Sequence, residues 1–269
     1  VNNLRLLLKK NTYYTMCLWL TIACSFSQYA ISQTTELTLE KCEREIGKPP
    51  VYGAECGVIQ LPENAQDPSG PLIDVHVLRL PAIQNKQLPP VFFISGGPGQ
   101  GSTSLAPLIR RQFSALLKDR DLVFVDQRGT GQSNPLKCET DPFQYAELTP
   151  DEATIKNNQT MEKCFEQYDA NLPFYTTYWA VQDLEAIRKA LAYQTINLWG
   201  ASYGTRVILE YLRQSPASIN SAVLDGVAPV AIALPKHAAE DSSYALRRLL
   251  ASCNGNTACA SAFGDIEGK

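Results

Sequence analysis

Four short, largely apolar runs each end directly in glycine, serine or aspartate: VFFI at 91–94, LVFV at 122–125, INLW at 196–199 and SAVL at 221–224. They do not alternate polar with apolar residues, so neither face of such a strand is suited to water. Strands buried on both faces belong to a parallel sheet covered by helices. Helical spacing of apolar residues fills the intervals, in TSLAPLIRRQFSALLKD (103–119), YWAVQDLEAIRKALAY (178–193) and TRVILEYLRQSP (205–216). Strand alternating with helix predicts an α/β fold with right-handed crossovers.

The flanking segments follow other patterns. CGVIQLPEN (56–64) and LIDVHVLRLPAI (72–83) are β-rich, and the turn-forming NAQDPSGP between them predicts an antiparallel pair. Alternation in IDVHVLRL puts His76 on one face of that strand, as a sheet-surface residue. Residues 142–174 read as a partly helical insertion, and 237–263 as a further helical segment.

Two of the runs lead into chemistry. After INLW the chain reads GASYG, a Gly-x-Ser-x-Gly pattern centred on Ser202 and followed by an amphipathic helix. A nucleophilic serine on a sharp strand-to-helix turn needs small neighbours, here Gly200 and Gly204, to avoid clashes and expose its hydroxyl. The positive end of the following helix then faces the developing charge. Acyl transfer also needs two backbone N–H groups aimed at an oxyanion. In this strand-turn-helix architecture one donor is the residue after the nucleophile, Tyr203. The other comes from the loop after an earlier strand, here SGGPGQG (95–101), with Gly96 or Gly97 donating and Pro98 and Gly99 supporting the turn. That loop lacks the lysine of a P-loop and does not fit the dinucleotide fingerprint. A third loop, DQRGTGQS (126–133), reads as a structural turn whose Asp126 and Arg128 pair to shape the floor of the site.

The N-terminus obeys different rules. Arg5, Lys9 and Lys10 precede the uncharged stretch MCLWLTIACSF (16–26), and small residues follow. Basic region, apolar region and small-residue cleavage site make the order of a secretory signal, assigned to residues 1–27. A membrane anchor or a buried helix is the alternative, and Cys24 after TIA is a faint lipoprotein-type site. Without those three basic residues, 21 of the 24 Lys and Arg remain against 27 acids, so the exported protein is mildly acidic. No basic block points to nucleic acid. The remaining cysteines, 42, 56, 138, 164, 253 and 259, fall in three sequence-local pairs. In an oxidising compartment the simplest pairing is 42–56, 138–164 and 253–259, among the many that six cysteines allow; six buried free thiols are the alternative. No C-x-x-C occurs and the two histidines lie far apart, so no metal site is expected.

Taken in order, GGPGQG (96–101), DQRGTGQS (126–133), GASYGT (200–205) and VLDGVAP (223–229) resemble the proline iminopeptidase family of α/β hydrolases, and more closely its exported tripeptidyl-aminopeptidase-like branch. The resemblance runs from about Cys42 to the end, and the local cysteine pairs resemble that branch as well. It implies a serine peptidase that removes residues from free peptide N-termini by a Ser–Asp–His triad under a helical cap, with no metal or organic cofactor and no nucleic-acid or membrane partner after signal cleavage. Ser95 stands where many relatives have histidine before Gly-Gly-Pro-Gly; that position shapes the loop and is not the base.

Which histidine serves Ser202? In this fold the order is serine, acid, histidine. The only histidine after Ser202 is His237, at the start of the cap, where it reads as an exposed helix-start residue. Asp225 ends a strand and reads as a turn aspartate rather than the acid. The acid and base are therefore expected beyond Lys269, with residues 28–236 the N-terminal part of the hydrolase core and 237–269 the start of the cap. The α/β-hydrolase fold would then be incomplete here, its last strands and most of its cap outside the chain. An esterase on the same fold and a non-catalytic binding relic are the competing functions.

Overall fold

The computed structural model describes residues 36–43, 51–84, 86–138, 145, 147–232 and 236–264. The expected signal segment, Cys24 included, lies outside the described residues.

Among the described residues seven strands form one sheet: β1 (Glu40–Lys41), β2 (Glu55–Pro62), β3 (Leu72–Leu80), β4 (Val91–Ile94), β5 (Leu122–Val125), β6 (Ile196–Ala201) and β7 (Ile219–Asp225), in the spatial order β1-β2-β3-β5-β4-β6-β7. β1, β2 and β3 pair antiparallel, and β3 also pairs antiparallel with β5. β5, β4, β6 and β7 run parallel. The carboxyl ends of these four strands share one edge, which therefore carries Ser95, Asp126, Ser202 and Gly226.

Helices cover both faces of β4 and β5 and most of β6, which is why those strands are largely apolar and buried; β7 departs from the expectation of burial on both faces, because it lies at the edge of the sheet and Ser221, Ala222 and Val223 are exposed. On one face Phe92, Ile94, Val123, Val125 and Leu198 pack against α4 (Thr177–Ala190) and α5 (Tyr203–Gln214) through Val181, Leu184, Ile187, Val207, Ile208 and Tyr211. On the other, Leu78, Leu80, Val91, Phe93, Leu122 and Phe124 pack against α1 (Ala106–Gln112) and α2 (Ser114–Leu117). Side chains alternate across each strand, so Phe92 and Phe93 enter different cores. The helix expected over 103–119 is broken at Phe113. That ring packs against Phe93 and Trp199, with centroids 5.3 and 5.5 Å away.

The insertion contains α3 (Pro150–Phe165), opened by a capping box in which Thr149 and Glu152 satisfy each other's backbone N–H. The final segment forms α6 (Ala238–Asn254) and α7 (Thr257–Phe263). Cys42–Cys56, Cys138–Cys164 and Cys253–Cys259 are disulfide-bonded, the local pairing expected. β7 forms the edge of the sheet, with Val223 51% exposed. Among the described residues no helix is long and apolar enough to cross a membrane.

Candidate active site

Ser202 occupies the single residue between β6 and α5, with φ 53° and ψ −117°. A non-glycine residue at positive φ is strained and persists only where its surroundings impose it. The local sequence does so. A Cβ on Gly200 would lie 2.7 Å from the Gly204 carbonyl oxygen, and one on Gly204 would collide with the Ile94 carbonyl. Both positions therefore demand glycine for the strand and helix to approach this closely. The Ser202 amide donates to the Asp225 carbonyl at 2.9 Å, and the Thr205 hydroxyl donates to the Ser202 carbonyl at 2.6 Å. Thr205 Oγ1 in turn accepts from the Ala228 amide at 2.9 Å, tying the elbow to the segment after β7. The Ser202 side chain is left exposed at the N-terminus of a twelve-residue helix.

The loop after β4 folds against this elbow. An added Cβ on Gly96 would stand 3.1 Å from the Ala201 carbonyl oxygen and 3.2 Å from Ser202 Cβ, so the loop lies in close contact with the elbow. Ser95, 1% exposed, donates its hydroxyl to the Gln100 carbonyl at 2.5 Å, and its amide donates to Ser102 Oγ at 3.1 Å. Ser95 thus closes the loop from within, as expected. Gly97 and Gly99 both lie at positive φ, on either side of Pro98, whose peptide bond is cis. No hydrogen bond among the described residues uses the amides of Gly96, Gly97 or Tyr203. Three free N–H groups beside an exposed serine are what an oxyanion site requires.

Asp126 and Arg128 do not pair with each other, contrary to the sequence expectation. Asp126, 1% exposed, accepts from the amide and hydroxyl of Thr103, both at 2.9 Å, and from the Gln132 amide at 3.0 Å. Its oxygens are spent on two backbone N–H groups and one hydroxyl, tying the loop after β5 to the start of the segment at Thr103. Arg128 points elsewhere. Its Nε and Nη2 donate to Asp183 on α4 at 2.7 and 2.6 Å, and Nη1 donates to the carbonyls of Glu63 and Phe174 at 2.6 and 2.9 Å. The planar guanidinium fits a carboxylate and carbonyls fixed by other elements, and so locks the segment leading into α4 against the floor of the site. Asp183 was not legible in sequence. On an amphipathic helix an aspartate reads as solvent-facing, and this one is 3% exposed.

That lock forms the wall of a pocket of about 180 Å³ lined by Pro98, Gly99, Gln127, Tyr175, Thr177 and Tyr203, among others. The hydroxyls of Thr177 and Tyr203 share a hydrogen bond of 2.5 Å. The Tyr175 hydroxyl accepts from Asn134; burial pushes this phenol up to about 12, so it is neutral at physiological pH. A larger cavity of about 380 Å³ lies between residues 82–90, 119–121 and 191–195. Those residues precede β4, β5 and β6, so it sits at the amino ends of the strands, away from Ser202. In open α/β sheets ligands bind outside the carboxyl ends.

Neither histidine reaches the elbow. His76 lies on β3, separated from β6 by β5 and β4. Its backbone amide donates to Ser133 Oγ at 2.8 Å, and its carbonyl accepts from the Asp126 amide. His237 is exposed before α6, its Nδ1 3.7 Å from Glu240 Oε2. Asp225 offers Ser202 a backbone carbonyl.

The alpha/beta hydrolase fold family matches residues 89–262. The chain is 30% identical over 190 residues to the tripeptidyl aminopeptidase of Streptomyces lividans, covering 64% of this chain and 35% of that one. It is 26% identical over 223 residues to serine protease Hip1 of Mycobacterium tuberculosis, covering 77% and 43%. Among solved structures, a proline iminopeptidase-related protein from Thermus thermophilus aligns with 20% identity and a TM-score of 0.38, over 62% of this chain and 43% of that one. The chain spans less than half the length of these curated relatives.

Proposed function

The chain belongs to the alpha/beta hydrolase fold family, and on that premise we propose that it is part of an exported serine aminopeptidase with Ser202 as nucleophile. One observation carries the reading: Ser202 is held exposed at positive φ beside the unused amides of Gly96, Gly97 and Tyr203. Ser202 Oγ attacks the scissile carbonyl while a histidine takes its proton. Tyr203 and Gly96 or Gly97 hold the oxyanion, and its collapse expels the new amino terminus, which takes the proton back. Water then releases the acyl group by the same steps. The acid and the histidine are supplied by residues of the whole protein outside this chain, because His76 and His237 both sit away from the elbow.

Peptide substrates are supported by the relatives named serine protease and tripeptidyl aminopeptidase. Export is supported by the basic-then-apolar leader and by three disulfides, which form and persist in oxidising compartments. No cofactor is required, since a serine, base and acid suffice.

The test is hydrolysis by the full-length protein of peptidyl anilides with a free amino terminus, against nitrophenyl esters. Anilide hydrolysis that disappears in Ser202→Ala and on blocking the substrate's amine is the expected result. Ester hydrolysis without anilide hydrolysis would make the protein an esterase. Neither activity would leave a binding relic.

A further inference from the structure

The two peptide units that flank Ser202 are both gripped, but at different atoms. The Ala201–Ser202 unit is held by its N–H, which donates to the Asp225 carbonyl at 2.9 Å. The Ser202–Tyr203 unit is held by its carbonyl, which accepts from the Thr205 amide at 3.0 Å and from the Thr205 hydroxyl at 2.6 Å. A trans peptide unit is planar, and its C=O and N–H point in opposite directions. Holding the Ser202 carbonyl therefore fixes the direction of the Tyr203 N–H, one of the amides left unused beside Ser202 among the described residues.

The Thr205 hydroxyl is itself held. Thr205 is 0% exposed. A hydroxyl has one proton to give and lone pairs to accept with. Here the proton goes to the Ser202 carbonyl, and Oγ1 accepts from the Ala228 amide at 2.9 Å. A threonine often bonds back to its own helix; acceptance from a separate segment makes this one a junction. That segment is fixed in turn. Arg206 Nε donates to the Ala228 carbonyl at 3.0 Å, and its Nη2 donates to the carbonyls of Pro229, at 3.0 Å, and Ile232. The chain leaving β7 thus braces the hydroxyl, and the hydroxyl braces the peptide unit that carries the Tyr203 N–H.

We propose that Thr205 is a positioning residue for the reaction at Ser202: its hydroxyl aims the Tyr203 N–H at the oxyanion and keeps it aimed as charge develops. The proposal rests on the reading of Ser202 as nucleophile. It goes beyond that reading by making the oxyanion donor depend on a fully buried side chain that touches no substrate.

The experiment uses the full-length protein and whichever substrate, a peptidyl anilide with a free amino terminus or a nitrophenyl ester, the wild type hydrolyses. Thr205→Val keeps the shape and removes both hydrogen bonds of the hydroxyl. It should lower kcat per folded molecule by roughly tenfold or more and leave KM within about twofold, because a correctly aimed N–H acts on the transition state more than on bound substrate. Thr205→Ser, which keeps the hydroxyl, should recover most of the loss. A trifluoromethyl ketone reads the same N–H without turnover. Ser202 Oγ adds to its carbonyl carbon, and the carbonyl oxygen takes the electron pair as an oxyanion. Its Ki for Thr205→Val should rise by about the factor that kcat falls. A purely structural role would lower the folded fraction and leave kcat per folded molecule and Ki unmoved. If Thr205→Val fails to fold, Thr205→Ala carries the comparison. A kcat within about twofold of wild type, a loss confined to KM, or no recovery in Thr205→Ser would each overturn the proposal while the reading of Ser202 stands. No hydrolysis by wild type, or hydrolysis that survives Ser202→Ala, brings both down.

Discussion

Arg128 and Asp183, 55 residues apart in sequence, meet in a two-point ion pair of 2.6 and 2.7 Å closed off from solvent. One comes from the loop after β5 and the other from α4, so the pair joins the floor of the site to the helix beneath the pocket wall. Removing one partner leaves an uncompensated buried charge, whereas replacing both by apolar residues does not. Asp183→Leu is expected to cost about 3–5 kcal/mol, and adding Arg128→Met should recover much of the loss. Urea unfolding followed by tryptophan fluorescence reads both. A single variant as stable as wild type would show that the pair holds nothing in place.

The elbow sets stability against function. Holding a non-glycine residue at φ 53° costs on the order of 1–3 kcal/mol, which glycine largely avoids. Ser202→Gly should therefore unfold at higher urea than wild type, by about 1 kcal/mol after the extra freedom glycine gives the unfolded chain. In the full-length protein it should also abolish hydrolysis, as should Ser202→Ala, by about 10⁶-fold if a complete triad operates. A Ser202→Gly protein less stable than wild type would mean the turn is not strained.

Gly200 tests the same geometry from the opposite direction. With only 2.7 Å between an added Cβ and the Gly204 carbonyl, Gly200→Ala must push helix from strand. A loss of about 1–3 kcal/mol is expected, the usual cost of overpacking. An unchanged melting temperature would show that α5 can shift freely.

Glu185 gives the fold an acid limit. Burial alone would raise its carboxyl, but hydrogen bonds from Arg188 and Tyr211 outweigh it and hold it down to about 2. A carboxyl depressed in the folded state stabilises fully above its unfolded value of about 4.3, and that contribution is lost as pH falls towards 2. Glu185→Gln should therefore be less stable than wild type at pH 7, with the difference shrinking between about pH 4.3 and 2. A difference independent of pH would assign the effect to shape instead of charge.

The β7 edge makes a solution prediction. Val223 is half exposed on a strand paired only with β6 among the described residues. Such an edge is a template for another strand. Sedimentation velocity at protein concentrations a decade apart should show self-association of this chain, reduced in Val223→Lys. Concentration-independent monomers of both would mean the edge is protected.

Local signals made much of this molecule legible from sequence. Unbroken apolar runs marked β4, β5 and β6 because burial on both faces leaves no polar position. Glycines at 200 and 204 marked the elbow because only a missing Cβ allows those backbone approaches, and Gly96 marked the loop packed against it. The local cysteine pairs were legible as well. The partner of Arg128 was not. Which carboxylate a guanidinium meets depends on groups brought together from distant segments. Asp126 lay two residues from Arg128 and was the nearer choice in sequence. Packing gave its oxygens to Thr103 and Gln132, and delivered Asp183 from a helix more than fifty residues away.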